Sequence, residues 1–175
     1  MLENHFTKDP HKVETFSTPK ILVLGHGQHG KDTVSNMISY IYGLKLGGSS
    51  ELGFKAIKPR LQKLFPNESD EQLFENRRIH RDIWKRLIKE YNTPDPTRLT
   101  RDILRVYDGY VGIRDLDEYK ATEHLYDIKI WVDRSLHKPN DPSMEIEYDP
   151  NEMLLLNNNG PLAHLKDALL EILIL

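Results

Sequence analysis

Residues 21–33 read Ile-Leu-Val-Leu-Gly-His-Gly-Gln-His-Gly-Lys-Asp-Thr, an apolar strand that runs through a glycine-rich turn into a lysine and then a helix. No other stretch constrains the fold as much, because it demands a buried strand whose carboxyl end faces a helix N-terminus. Val34, Met37, Ile38 and Ile41 follow at helical spacing. The free N–H groups of that helix start would point at an anion. Gly25, four intervening residues, Gly30 and Lys31 fit the Walker spacing, in which glycines let the backbone wrap phosphates and the ammonium reaches the terminal ones. The expected nucleotide-binding residues are therefore Gly25, His26, Gly27, Gln28, His29, Gly30, Lys31, Asp32 and Thr33, with a nucleoside triphosphate as ligand. Where many such loops place a magnesium-ligating hydroxyl directly after the lysine, this chain has Asp32, and the hydroxyl comes one place later at Thr33. Asp32 and Thr33 are the candidate metal ligands, the carboxylate acting directly or through water.

A length of 175 residues suits one domain with a full core. The formal net charge of −3 supplies no global basic field for nucleic acid, so cationic surface must be local. The absence of cysteine removes disulfides, thiolate nucleophiles and thiolate zinc sites, and suits a reducing cytoplasm. Residues 1–19 are polar, contain Pro10 and Pro19, and read as a flexible arm. The longest apolar runs, residues 153–156 and 169–175, fall short of a membrane span.

Beyond the first helix, the Gly- and Ser-rich segment 43–53 reads as a loop around a short strand at Leu44–Leu46, and a polar stretch with Pro59 and Pro66 follows. Ser69 or Asp70 caps a helix that continues, with a break near Asn76, to Tyr91. Further helices are expected around Leu99–Tyr107, Glu118–Leu125 and Leu162–Ile172, with strands at Tyr110–Ile113, Asp127–Val132 and Met153–Leu156. Alternating strands and helices without repeats imply a mainly parallel sheet in an α/β fold, with ligand at the strands' carboxyl ends. The cluster from Arg77 to Arg86 is the densest local cationic stretch, and Arg78 or Arg81 could clamp a monophosphate bidentately beside Trp84. Arg60 is a weaker candidate for the same task, and Phe54 could stack on a base. Arg134 follows a strand and opens a charged loop near residues 133–144, from which it could swing over phosphates as part of a lid. Glu118, four residues after Arg114, can pair with it and hold its fork. Eight histidines lack any His-Glu-x-x-His arrangement, so no zinc site is expected, and His26 and His29 read as the exposed rim of the loop.

Gly30-Lys31-Asp32-Thr33, the strand ending Gly112-Ile113-Arg114 followed by Glu118, the strand Ile130-Trp131-Val132-Asp133-Arg134, and the Asn-rich turn before a closing helix together resemble the bacteriophage deoxynucleoside monophosphate kinases, relatives of the adenylate kinase group. The resemblance spans residues 20–175 in the order of elements. It implies a three-layer P-loop kinase fold in a single domain, with acceptor-binding helices near residues 55–107 and a lid near 133–144. It also implies ATP and magnesium as cofactors, a nucleoside monophosphate acceptor, and work in the cytoplasm, the host's if the gene is a phage's. In that reading Lys31, Arg114 and Arg134 are catalytic, and Arg60, Arg78, Arg81, Trp84, Arg114 and Glu118 bind the acceptor. The partners are small nucleotides, with neither membrane nor nucleic acid, and a homodimer is left open. One departure stands out: a position that is often acidic is Gly112, which leaves Asp32, Asp115 and Asp133 as alternatives for anchoring magnesium. Two other readings remain: a kinase acting on a modified base in DNA, and a nucleotide-binding switch with little catalysis.

Overall fold

The computed structural model describes residues 18–173, so the expected N-terminal arm lies, but for its last two residues, outside the described part. Strands β1 (Ile21–Leu24), β2 (Leu46–Gly48), β3 (Gly109–Val111), β4 (Ile128–Asp133) and β5 (Leu154–Asn157) form one sheet in the order β2-β3-β1-β4-β5. Every pairing is parallel, and Ile21 of the central strand lies opposite Gly109 on one side and Ile128 on the other. All five carboxyl ends therefore open at the same edge, where ligands of such sheets bind.

The helices are α1 (Lys31–Tyr42), α2 (Ser49–Leu64), α3 (Asp70–Glu75), α4 (Arg81–Tyr91), α5 (Arg98–Leu104), α6 (Leu116–Thr122) and α7 (Leu162–Ile172). β1 is apolar at every position because both of its faces are covered. Ile21 and Val23 pack with Val34 and Ile38 of α1 and with Leu165 and Leu169 of α7. Leu22 and Leu24 face the other way, onto Leu99 and Ile103 of α5 and Tyr119 of α6. These two apolar layers sandwich the sheet between helices. A third cluster, Ile57, Leu61, Leu73, Trp84 and Leu87, joins α2 to α3 and α4 beside it.

Two expectations need correction. The segment read as a loop and polar stretch holds the sixteen-residue helix α2, which passes through Pro59. Gly53, Ile57 and Leu61 recur every four residues and are all buried, and that packed face outweighs the one backbone hydrogen bond that proline removes. The strand expected at Leu44–Leu46 forms two residues later, at Leu46–Gly48, because Gly47 must sit tight against Leu52, Ile103 and Tyr107; a Cβ there would lie 2.6 Å from Leu52 Cδ1. The helix beginning near Ser69 is capped as expected: the Ser69 hydroxyl accepts from the Gln72 amide, and the Gln72 side chain accepts from Ser69 N–H. It stops at Glu75, a 3₁₀ turn spans Asn76–Arg78, and α4 starts only at Arg81. Arg77 and Arg81 thus do not share one helix face.

Candidate functional site

Between the carboxyl edge of the sheet and α2 to α4 lies a cleft of about 980 Å³. Its donor-side wall begins with the loop after β1, whose backbone turns through left-handed conformations at Gly25 (φ 133°), Gln28 (φ 64°) and Gly30 (φ 95°) before α1 starts. Gly25 has no room for a side chain, since a Cβ would approach Val132 O to 2.4 Å. Lys31 folds back over the loop, its Nζ donating to Gly25 O at 2.8 Å and to His26 O at 2.6 Å. Burial, and after it the charge of Arg114, pull the Lys31 ammonium down to about 8. Asp32 is exposed on the cleft wall, whereas Thr33, also exposed, is not part of it.

The two loop histidines are not its exposed rim. His29 is fully buried, its Nδ1 accepting from the Arg134 amide at 3.0 Å. His26, half-buried, accepts the Asp141 amide on Nδ1 at 3.1 Å and stands edge-on to Trp131. Each ring holds the phosphate loop against the segment that follows β4, which is why burial fixed them where polarity suggested solvent. Burial, followed by the nearby His29, lowers the His26 pKa. From behind, Asn158 of the Asn-rich turn donates to His29 O at 2.8 Å.

The opposite wall carries Phe74, Arg77, Arg78, Arg81, Trp84, Ile88 and Asn92. Trp84 is only 6% exposed and stacks on Phe54 with ring centroids 5.7 Å apart, so Phe54 belongs to the packing under the cleft. Arg77 lies over the Phe74 ring at 4.3 Å. Arg78 also lines the cleft. Arg60 does not: it sits on α2 and donates to Glu90 Oε2 at 3.0 Å, turned away by the helix that the sequence reading lacked.

At the floor, β3 is followed by Gly112 (φ 93°) and Arg114. A Cβ at Gly112 would lie 2.9 Å from Ser49 Oγ and 3.7 Å from Lys31 Cε, so this backbone leaves no space for an acid. Arg114 is not paired with Glu118. Its Nη1 donates to Asp141 Oδ2 at 2.5 Å and to Ser143 Oγ at 2.7 Å. Arg81 Nη1 donates to the other Asp141 oxygen at 2.9 Å. Glu118, 3% exposed, instead accepts from the Thr100 hydroxyl at 2.9 Å, because α6 starts at once after Arg114 and carries residue 118 into the interior. Burial pushes its carboxyl up to about 7. Arg134 follows β4 but does not line the cleft, and its buried Nε has no partner among the described residues. Of the acids weighed for magnesium, Asp133 is engaged with Ser135 and Asn159, and Asp115 caps α6.

The cleft thus brings together Gly27, Gln28, Lys31 and Asp32 with Arg78, Arg81, Trp84, Arg114 and Glu118. Asp141 and Ser143 were missed. Their Asp-Pro-Ser turn, in which the Ser143 amide donates to Asp141 Oδ1 at 3.0 Å, is a local signal, but nothing in the sequence announces its two distant arginines. Among the described residues no group of three or more acids and histidines could hold a metal by itself, and no helix is long and apolar enough to cross a membrane.

No protein-family model matches the chain, and no curated protein matches it significantly. Among solved structures, TT1252 from Thermus thermophilus is similar at 17% identity, over 89% of this chain and 97% of that one, with a TM-score of 0.52. A gluconokinase from Sinorhizobium meliloti 1021 aligns at 13% identity over 88% and 90% of the two chains, with a TM-score of 0.49. A sugar kinase from Janibacter sp. HTCC2649 aligns at 14% identity over 89% and 94%, with a TM-score of 0.48. At such identities the likeness is one of fold. The chain has the expected α/β architecture, an all-parallel five-stranded sheet between helices with a Walker-spaced loop after its central strand.

Proposed function

We propose that this protein transfers the terminal phosphoryl group of ATP to a nucleoside 5′-monophosphate, a deoxynucleotide in the form closest to the sequence resemblance. The observation that carries this reading is that Lys31 and the phosphate loop share one cleft with Arg78, Arg81, Arg114 and the aromatic pair Phe74 and Trp84. A donor triphosphate and an acceptor with both an anionic and a flat apolar part need this combination. In the reaction an acceptor phosphate oxygen bonds to the γ-phosphorus while the bond to the β,γ-bridging oxygen breaks, leaving ADP. The protein's share is alignment and charge stabilisation. Lys31 in its ammonium form and the loop amides neutralise the donor, Arg114, whose charge acts on Lys31, serves donor and acceptor alike, and Arg78 and Arg81 hold the acceptor. Of the carboxylates on the cleft wall, Asp32 is the one next to Lys31 in the chain and would hold magnesium, which supplies charge neutralisation on the donor phosphates when bound.

The reading in which the acceptor is a base within DNA needs a continuous cationic groove. Here Lys85 is paired with Glu145, and Lys89 with Asp115 and Asp117. Paired cations release few counterions, which supports the small-molecule acceptor.

Purified protein with ATP and magnesium is expected to convert at least one of the common ribo- or deoxyribonucleoside monophosphates to its diphosphate, read by chromatography. Failure on all of them rejects the acceptor assignment. Lys31→Ala is expected to lower turnover by about a hundredfold or more, in line with removing one transition-state cation, with the circular dichroism spectrum unchanged; undiminished turnover would reject the role given to the loop.

A further inference from the structure

Asp141 stands where three parts of the site meet. One carboxylate oxygen takes Arg81 from α4 at 2.9 Å, and the other takes Arg114 from the segment after β3 at 2.5 Å. Its backbone N–H is bound by His26 of the phosphate loop, and a Cβ on Gly27 would lie 2.6 Å from Asp141 Oδ2. Ser143 completes the knot: its hydroxyl donates to Asp141 Oδ1 at 2.7 Å and receives Arg114 Nη1. The Asp141 side chain is 5% exposed and is absent from the cleft wall, whereas Arg81 and Arg114, 45% and 37% exposed, form part of that wall. The carboxylate is thus behind the guanidinium groups and the cleft is in front of them. Burial alone would raise the Asp141 carboxyl, but hydrogen bonds from Arg114 and Ser143 outweigh it and keep the group well below the usual carboxylate range.

We propose that Asp141 is the positioning residue that sets Arg81 and Arg114 side by side as one receptor for a phosphomonoester dianion. A guanidinium has five N–H donors in a rigid fork, so anchoring one nitrogen from behind fixes the direction of the others. Two guanidinium groups beside the Lys31 ammonium would otherwise repel one another, and one shared carboxylate removes most of that repulsion. Because Arg81 comes from the acceptor-side helix and Arg114 from the segment after β3, Asp141 also ties the spacing of the two walls to the phosphate loop through His26. The proposal rests on the acceptor-side reading of the cleft and names the residue that makes its anion site. An alternative physical outcome is that the carboxylate is a self-ligand occupying the anion's place. In that case its removal would free the arginines and tighten anion binding, the opposite sign.

The test is titration of the full chain with inorganic phosphate, loaded with a non-hydrolysable ATP analogue and magnesium, and followed at the Arg81 and Arg114 side-chain resonances by nuclear magnetic resonance. Asp141→Asn keeps the shape and removes the charge. It is expected to weaken phosphate binding by about tenfold or more, the scale of one charge-assisted contact, and to raise the acceptor KM far more than it changes kcat or the KM for ATP. Asp141→Glu, which restores the charge on a longer stem, is expected to recover part of the loss. Phosphate affinity in Asp141→Asn equal to or tighter than in the unaltered protein overturns the proposal. Should that variant fail to fold, Ser143→Ala removes one link of the same knot and is expected to weaken phosphate in the same direction; no weakening there overturns the proposal as well. A protein that turns over no monophosphate, yet loses phosphate affinity with Asp141→Asn, rejects the proposed reaction and leaves the positioning role standing.

Discussion

Lys31 is the first residue of α1, where one ammonium group is asked to stay charged in a largely buried place. Burial and the neighbouring Arg114 bring it down to about 8 from 10.5. The folded protein therefore gives up this proton before the unfolded chain does, and between those two values the unfolded chain binds one proton more. The contribution of Lys31 to stability is lowest below pH 8 and rises with pH across that window. For catalysis the sign is reversed, since the ammonium is the useful form. The expected outcome is that kcat/KM for ATP falls as pH rises through about 8, because that quantity reports the free enzyme. The fall in kcat is expected at higher pH, because bound phosphates favour the charged lysine. A kcat/KM profile that stays flat to pH 10 would contradict this account of Lys31.

Among the elements, β5 shows how unevenly a short strand contributes. Leu156 is fully buried between α1 and α7, while its neighbours Leu154 and Leu155 are 40% and 47% exposed at the sheet's edge. Three consecutive leucines thus have different environments, and composition cannot distinguish them. Leu156→Ala is expected to cost about 2–5 kcal/mol of unfolding free energy, and Leu155→Ala to stay within about 0.5 kcal/mol, both read from urea midpoints at constant m-value. A helix shows the same principle with the opposite lesson: α2 persists through Pro59 because its buried face at Gly53, Ile57 and Leu61 is anchored by Trp84 and Leu87. Local punctuation argued for a loop there, and partners on α3 and α4 decided for a helix.

At the scale of the whole molecule, the cleft is a property of the common strand edge and of the helices that face it. A net charge of −3, with Lys85 and Lys89 of the cleft already in ion pairs, predicts weak attraction to a polyanion. Single-stranded DNA is expected to bind with a logarithmic salt slope below about 2, measured by fluorescence anisotropy, since few unpaired cations are left to neutralise phosphates. A steep slope would reverse the preference and favour the base-in-DNA acceptor.

Much of this was legible in the chain itself. The run Ile21–Leu24 declared a strand buried on both faces, and the Walker spacing placed a loop and helix at its end, because strand period, glycine freedom and helix spacing are local properties. The Ser69 cap and the closing helix at Leu162–Ile172 were readable for the same reason. What only the tertiary structure decided are contacts between residues far apart: the choice of Asp141 over Glu118 as partner of Arg114, the burial of His29, the turning of Arg60 toward Glu90, and the crowding at Gly112 that bars an acid. Ion pairs depend on distance in space, and a carboxylate twenty-seven residues away is as close to Arg114 as the fold makes it.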